Sequence, residues 1–173
     1  YEDAPRRERL CRIYNDLFNC IRQREFDGSH LTLPGFSHCF ELHKSQRNAI
    51  WRIVQSGNTG LFHEVGAGKT AIMAAASMEL RRLGLANKPA HVVPNHCLEQ
   101  YTAEMVRLYP SAAVLMATKE DLAGDRRREF VARVATGDWD AIVMTHSTFE
   151  LLAMSAEFTE SFIKDIIRDI EMA

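Results

Sequence analysis

The stretch that decides the fold is Glu64-Val65-Gly66-Ala67-Gly68-Lys69-Thr70, which stands between a short apolar segment and a long helical pattern. We predict a strand over 59–64 and a helix over 69–83 that ends at Gly84. Glycines let backbone N–H groups converge on anionic oxygens, and a helix that begins at this point adds the positive end of its dipole. The stretch therefore predicts a phosphate-binding loop between a strand and a helix.

Each residue of this loop has an expected role. Lys69 would reach the β- and γ-phosphates of a nucleotide, and the Thr70 hydroxyl would bind Mg²⁺ that is held by the nucleotide. Lys69 and Thr70 are therefore the candidate catalytic residues. The strict form of the motif has glycine at position 63, where this chain has His63. The candidate nucleotide-binding residues of the loop are Glu64, Val65, Gly66, Ala67, Gly68, Lys69 and Thr70.

Short apolar strands alternate with helices on both sides of the loop. The pattern predicts these elements in chain order: helix 44–55, strand 90–93, helix 95–108, strand 112–117, helix 126–135, strand 140–144, and helices 147–152 and 157–172. Repeated strand–helix units indicate a mostly parallel sheet with helices on its faces. The fold class is α/β.

The N-terminal part has a different pattern. Residues 5–25 are predicted as an amphipathic helix, because apolar residues recur at intervals of three and four. They are Leu10, Ile13, Tyr14, Leu17, Phe18 and Ile21. Residues 27–38 are dense in turn formers and predict a loop or linker. We therefore divide the chain into a helical extension with its linker, residues 1–36, and an ATP-binding lobe, residues 37–173.

Composition excludes several classes of protein. The 173 residues are 46% apolar and 25% charged, which is typical of one folded domain and not of a disordered chain. A net charge of −2 argues against a protein that coats nucleic acid, although it allows a local basic groove. No apolar run approaches the length of a membrane span, so we expect no membrane partner. The four cysteines form no C-x-x-C pair, which favours reduced thiols in the cytoplasm.

The phosphate-binding loop resembles motif I of superfamily 2 helicases and Swi/Snf-type translocases, many of which also replace the first glycine. Upstream, the stretch 42–49 (Leu-His-Lys-Ser-Gln-Arg-Asn-Ala) resembles the glutamine motif with which these proteins read adenine. The resemblance implies that Gln46 contacts the base, since an amide offers both a donor and an acceptor. It also implies part of a RecA-like P-loop lobe, with ATP and Mg²⁺ as cofactors.

Two later stretches resemble the motifs with which this family contacts nucleic acid. Residues 92–101 are similar to motif Ia, and residues 140–150 are similar to a later strand with a Ser/Thr-rich end. The implied contacts with the nucleic-acid backbone are Asn95, His96, Thr145, Ser147 and Thr148. Simpler explanations stay open: an ordinary strand–proline–helix junction at 93–95, and N-capping of a helix by Ser147 or Thr148.

A narrower resemblance covers Phe18 to Glu150. This part is similar to the helicase segment of very large bacterial and phage- or plasmid-borne proteins, in which a Swi/Snf-like motor accompanies an adenine-specific DNA methylase. The stretches that carry it are Phe18-Asn19, Ile21-Arg22, Arg24-Glu25, Asp27–Leu31, Pro34-Gly35, Trp51–Gln55 and Thr136–Asp140. The resemblance implies a cytoplasmic protein whose partners are double-stranded DNA, a second RecA-like lobe and a linked methylase.

The strand ending in Asp-Glu that holds Mg²⁺ in such ATPases is not found in the sequence. The strand 140–144 ends in Thr145-His146, and the order of motifs in the family places the acidic strand and the second lobe after residue 173. We therefore expect ATP binding by this chain and hydrolysis only with those parts. Two alternatives stay open: a truncated P-loop module that serves as a non-catalytic interaction domain, and an unrelated P-loop NTPase or kinase, against which Gln46 argues.

Overall fold

A three-stranded parallel sheet forms the centre of the fold. The structure is a computed structural model that describes residues 4–19, 24–124, 126–152 and 156–171. The strands are β1 (Ala90–Val93), β2 (Val114–Ala117) and β3 (Ala141–Thr145), in the order β1-β3-β2. Because all three strands run in the same direction, their carboxyl ends lie at one edge, where Val93 is opposite Thr145. This is the predicted α/β class, consistent with part of a RecA-like lobe.

Helices flank the sheet. In chain order, the helices of the described residues are α1 (Ala4–Tyr14), α2 (Lys44–Ser56), α3 (Lys69–Arg82), α4 (Leu98–Leu108), α5 (Arg126–Thr136), α6 (His146–Glu150) and α7 (Ala156–Glu171). From α2 onward these bounds agree with the predicted helices to within a few residues. A 3₁₀ turn, Asn95–Cys97, comes before α4, and another, Glu120–Leu122, follows β2. None of the helices in the described ranges is long and apolar enough to cross a bilayer.

β3 is the most buried element, and its side chains alternate between two cores. All five of its residues are buried. Ala141 and Val143 belong to the main core, with α2, α3 and α4, whereas Ile142 and Met144 belong to a second core with Phe130 of α5. A strand with neighbours on both faces needs apolar residues at every position, which explains the continuous apolar run Ala-Ile-Val-Met.

The prediction of a strand over 59–64 is wrong. The segment is irregular, and it bonds to no strand among the residues that the structure describes. Phe62 folds back over Gly60, so that a Cβ atom at Gly60 would lie 2.5 Å from its ring, and the Phe62 side chain is 97% exposed. Strand geometry is stable only when a neighbouring strand satisfies its backbone groups, and no described strand does so here.

The predicted N-terminal helix is confirmed over α1 and differs beyond it. After Tyr14 the backbone forms a π-helical turn, Asn15–Asn19, and residues 24–28 are irregular. The predicted helical residues Ile21 and Arg22 lie outside the described residues. No residue of α1 is buried, and the members of the predicted apolar face that the structure describes are exposed. The pattern therefore predicted the local conformation of this helix but not a packing partner.

The turn-rich segment 27–38 is irregular, as predicted, but it packs into the main core. Leu31 and Leu33 are buried there beside α2, α3 and α4. The Ser37 backbone N–H donates a 2.7 Å hydrogen bond to the carbonyl of Leu108 at the end of α4. The division of the chain after residue 36 remains a prediction, and residues on both sides of that position contribute to one core.

Candidate nucleotide and nucleic-acid sites

The loop 64–70 forms a tight turn directly before α3. Gly66 and Gly68 have φ angles of 86° and 76°, in the left-handed region that glycine adopts without strain. The Ala67 N–H donates to the carbonyl of Glu64 at 3.3 Å, which closes the turn. Because α3 begins at Lys69, the unpaired N–H groups of its first turn and the positive end of its dipole face the loop. The arrangement suits an anion.

Lys69 lies against the inside of this loop. Its Nζ atom donates to the carbonyl of His63 at 2.9 Å and to the carbonyl of Glu64 at 2.8 Å. A phosphate would offer the ammonium group charged acceptors, whose hydrogen bonds are roughly twice as strong as those to neutral ones. His63 contributes only its backbone carbonyl to this contact. The replacement of the first glycine of the motif therefore does not alter it.

Gln46, in the first turn of α2, lies against the same loop. Its Nε2 atom donates to the carbonyl of Ala67 at 3.0 Å, and its Oε1 atom accepts from the N–H of His43 at 2.8 Å. A Cβ atom at Gly68 would be 2.4 Å from Nε2. The structure therefore brings Gln46 together with the loop residues 64–70, and it places the amide on the loop backbone.

A cavity of about 600 Å³ lies between α2 and the segment 59–63. Lys44 and Ser45 of α2 line it beside Phe26, whose ring has the guanidinium carbons of Arg24 and Arg52 at 5.2 and 5.5 Å from its centroid. The sequence pattern predicts neither Phe26 nor Arg52 as a residue that lines a site. Nothing in their spacing signals the contact, because the loop that carries Phe26 reaches α2 only through tertiary packing.

A second cavity, of about 460 Å³, lies between the same segment and β1. A partly buried chain of hydrogen bonds runs along its wall. The Tyr101 hydroxyl bonds Nδ1 of His91 at 2.9 Å, Nε2 of His91 bonds Ser77 Oγ at 3.0 Å, and Ser77 donates to the carbonyl of Ala74 at 2.8 Å. Since Ser77 uses its proton on Ala74, His91 donates from Nε2 and accepts at Nδ1. Burial lowers the pKa of His91 to about 4 and raises that of Tyr101.

The candidate nucleic-acid residues meet at the carboxyl edge of the sheet, because β1 and β3 are neighbours. Ser147 Oγ donates to Oδ1 of Asn95 at 3.1 Å, which joins the two strand ends. Asn95 and His96 are exposed, and Ser147 is partly exposed. These three residues form the accessible part of the set.

Thr145 and Thr148 have a different position. Thr145 is 4% exposed and Thr148 is completely buried, and their hydroxyls bond each other at 2.9 Å. Thr145 Oγ1 also accepts from the N–H of Thr148 at 3.2 Å, which makes Thr145 the N-cap of α6. The expectation that Ser147 or Thr148 caps this helix is therefore wrong. The cap lies on the last residue of β3, because the strand leads directly into the helix.

A comparison with protein families finds one match. A family model described as a probable helicase domain matches residues 51–173. The chain belongs to this helicase-domain family. A search of curated proteins found no match. Membership supports a helicase-like function.

The part of the chain that matches the family model contains the phosphate-binding loop and the accessible candidate nucleic-acid residues. It begins inside α2 and includes the loop 64–70 and the ends of β1 and β3. Gln46 lies five residues upstream of the match but touches the loop within it. The geometry thus adds one residue to the part of the site that the family match covers.

Proposed function

We propose that this helicase domain is the ATP-binding portion of a DNA-dependent ATPase, a superfamily 2 helicase or translocase of the Swi/Snf type. The observation that carries the proposal is the position of Lys69, which begins α3 and lies inside a turn built on Gly66 and Gly68. Backbone N–H groups, a helix dipole and an ammonium group converge there. Together they suit the β- and γ-phosphates of ATP.

The metal and the chemistry follow from the same site. Thr70, in the first turn of α3, would hold Mg²⁺ together with the phosphate oxygens. When bound, the ion neutralises charge on the phosphates. Lys69 and the N–H groups of the loop orient the nucleotide. Hydrolysis in this proposal needs a carboxylate pair and a second lobe supplied by other parts of the protein.

The carboxyl edge of the sheet is the proposed contact for DNA. Asn95, His96 and Ser147 present polar groups at the ends of β1 and β3, which suits contact with backbone phosphates without base reading. Thr145 and Thr148 would act indirectly by fixing the start of α6. Double-stranded DNA, a second RecA-like lobe, a linked methylase and a cytoplasmic location complete the proposal, and they rest on the resemblance alone.

Titration with a fluorescent ATP analogue in the presence of Mg²⁺ tests the nucleotide site. Lys69→Ala should weaken binding at least about tenfold, or about 1.4 kcal/mol, because it removes the cation from the phosphates. The control is Lys164→Ala, which removes an exposed lysine of α7 that pairs with Glu160. Equal binding by the parent chain and Lys69→Ala would place the nucleotide elsewhere. No binding by the parent chain would favour a non-catalytic interaction module.

Binding of a labelled DNA duplex tests the second site. The double variant Asn95→Ala/Ser147→Ala should weaken binding about tenfold, since it removes two polar contacts without changing the net charge. Ser111→Ala, an exposed serine between α4 and β2, is the matched control. Binding that is equal in the parent chain and the double variant would exclude this edge as the DNA contact.

A further inference from the structure

We infer that α1 and α7 form a self-association surface, through which two copies of this chain pair reciprocally, with α1 of each copy against α7 of the other. This surface lies outside the proposed ATP and DNA sites. Two observations carry the inference. Each helix exposes an apolar stripe of matching spacing, and the two helices have opposite net charges.

The first stripe runs along α1 and the π-helical turn that follows it. We call it the α1 stripe, and its members are all exposed: Leu10, Ile13, Tyr14, Leu17 and Phe18. A groove of about 500 Å³ follows the stripe, and the ring centroids of Tyr14 and Phe18 are 5.0 Å apart at its end. A contiguous apolar patch of this kind marks a contact site, and aromatic side chains bury the largest areas in such a site.

The second stripe, which we call the α7 stripe, lies on the C-terminal helix. Its described members, Ile163, Ile167 and Ile170, are 50%, 49% and 71% exposed. They are spaced by four and then three residues, and the α1 stripe has the same spacing at its positions 10, 14 and 17. Apolar residues at an average interval of about 3.5 form the seam between two helices that pack side by side. The two stripes therefore have the geometry to pack on each other.

The net charges of the two helices are opposite and equal in size. The sequence of α1 has four arginines and one glutamate, a net charge of +3. The sequence of α7 has five carboxylates and two basic residues, a net charge of −3. Two copies of α1 would therefore repel each other, and so would two copies of α7. Opposite signs favour α1 against α7 and determine which stripes pair.

Within one chain the two stripes do not cover each other. The structure contains both helices, and the described apolar side chains of both are exposed there. A second copy supplies the missing partner, and a two-fold arrangement forms the α1–α7 contact twice. This doubling matters because each stripe covers only about two turns of helix, whereas a specific interface buries about 1,000 Å² or more.

The expected association is weak because the interface is small. Interfaces near the lower limit of size form transient complexes, and we expect a dissociation constant of about 10–100 μM. At about 1 μM the chain is therefore monomeric, with α1 exposed as in the structure. At higher concentration each stripe gains the partner that a short helix needs for stability in water.

Sedimentation equilibrium of the parent chain between about 1 and 300 μM measures the association, and it should show a change from monomer to dimer. Leu17→Ser and Ile167→Ser should each raise the dissociation constant at least about tenfold, because each puts a hydroxyl group into the seam. Leu85→Ser is the matched control. Leu85 lies in the loop after α3, and its exposed fraction, 64%, equals that of Leu17.

Charge reversal tests which helix pairs with which. Each Arg→Glu or Glu→Lys substitution shifts the charge by two, so Arg7→Glu/Arg9→Glu changes α1 to −1 and Glu160→Lys/Glu171→Lys changes α7 to +1. Either double variant gives the two helices charges of the same sign and should dimerise at least about fivefold more weakly. The variant with all four substitutions restores opposite signs and should recover most of the affinity.

Three results would overturn the inference. A parent chain that stays monomeric at about 300 μM would do so, and binding of that monomer to vesicles of phosphatidylserine and phosphatidylcholine would assign the basic helix α1 to a membrane surface instead. A dimer that persists in both serine variants would place the interface elsewhere. Failure of the variant with four substitutions to recover affinity would show that α1 does not pair with α7.

Discussion

The N-terminal helix α1 and the irregular segment that follows it, residues 24–43, bury their apolar side chains to very different extents. We call residues 24–43 the docked segment. In the docked segment Leu31 and Leu33 are 5% and 6% exposed, although it contains no helix or strand. In the regular N-terminal part Leu10 is 56% exposed, and Leu17, in the π-helical turn, is 64% exposed. The irregular region, not the regular one, belongs to the core.

The difference shows that local regularity and tertiary packing are separate properties. A periodic apolar pattern predicts a helix, but a helix as short as α1 is marginal in water without a partner. The docked segment has no such pattern, yet hydrogen bonds to α2 and α4 hold it. Arg47 donates to the carbonyl of Leu31, and Asn48 accepts from the N–H of Gly28. Four experiments test this contrast: three use substitutions and one uses a change of pH. They are given from the largest expected effect to the smallest.

The variant Gly28→Ala should separate the docked segment from α2. A Cβ atom at Gly28 would lie 2.1 Å from the carbonyl oxygen of Arg47, which is helix backbone and cannot move aside. We expect the free energy of unfolding to fall by about 4 kcal/mol or more. Chemical denaturation measures it, with the exposed neighbour Glu25→Ala as control. A loss below about 1 kcal/mol would mean that the segment is not held this closely.

The pair Leu31→Ala and Leu17→Ala compares the two regions directly. Both changes delete the same atoms, but Leu31 is buried in the main core and Leu17 is exposed. Leu31→Ala should cost about 3 kcal/mol because it leaves a cavity, and Leu17→Ala less than about 0.5 kcal/mol. Urea denaturation of both variants gives the difference. Equal losses would show that the N-terminal part is packed in solution.

Acid should weaken the core that the docked segment packs on. The pKa of His91 is lowered to about 4 by burial, from an ordinary value of 6.5. As the pH falls, the unfolded chain therefore binds this proton at a higher pH than the folded chain does. The contribution of neutral His91 to the free energy of unfolding is therefore fully present above pH 6.5 and is lost as the pH falls towards 4. Between pH 7 and pH 4.5 the loss should be about 2 kcal/mol.

The control for this experiment is His91→Gln, which does not titrate. Its stability should depend less steeply on pH than that of the parent chain, because all other titrating groups are shared. Denaturation curves at both pH values give the two slopes. Parallel losses in the two proteins would show that His91 is not protected from protonation in the folded state.

Among the changes that act on the docked segment or on the core beneath it, Arg47→Ala should have the smallest effect. It removes one partly buried hydrogen bond, 2.9 Å long, between the Arg47 guanidinium and the carbonyl of Leu31. The expected loss is about 1 kcal/mol. Lys44→Ala, an exposed cation on the same helix, is the control for lost charge. A loss no larger than that of the control would show that the apolar contacts alone hold the docked segment.

Much of the fold and the candidate nucleotide loop could be predicted from the sequence. Periodicity predicted the helices from α2 onward and the three strands of the sheet, because each depends on local spacing and on burial of an apolar run. Gly66 and Gly68 signal left-handed backbone before a helix, and both adopt it. The strand over 59–64 failed because a strand also needs a neighbour, which no local pattern specifies.

Two features of the site were beyond sequence reasoning. Phe26 and Arg52 contact each other only because the docked segment folds against α2. The capping role of Thr145 depends on how directly β3 leads into α6, and a shift of two residues moves the cap from Ser147 to Thr145. A residue pattern does not define the end of a helix or strand to within one or two residues, so it cannot predict which residue is the cap.

By itself, the sequence determined the α/β class, the loop 64–70 and the start of α3 at Lys69. These follow from residue types whose backbone preferences act locally. Only the tertiary structure decided that residues 31 and 33 enter the core, that α1 stays exposed, and that Gln46 bonds to the loop backbone. Such contacts join residues far apart in the chain, and their existence depends on the geometry of every element between them.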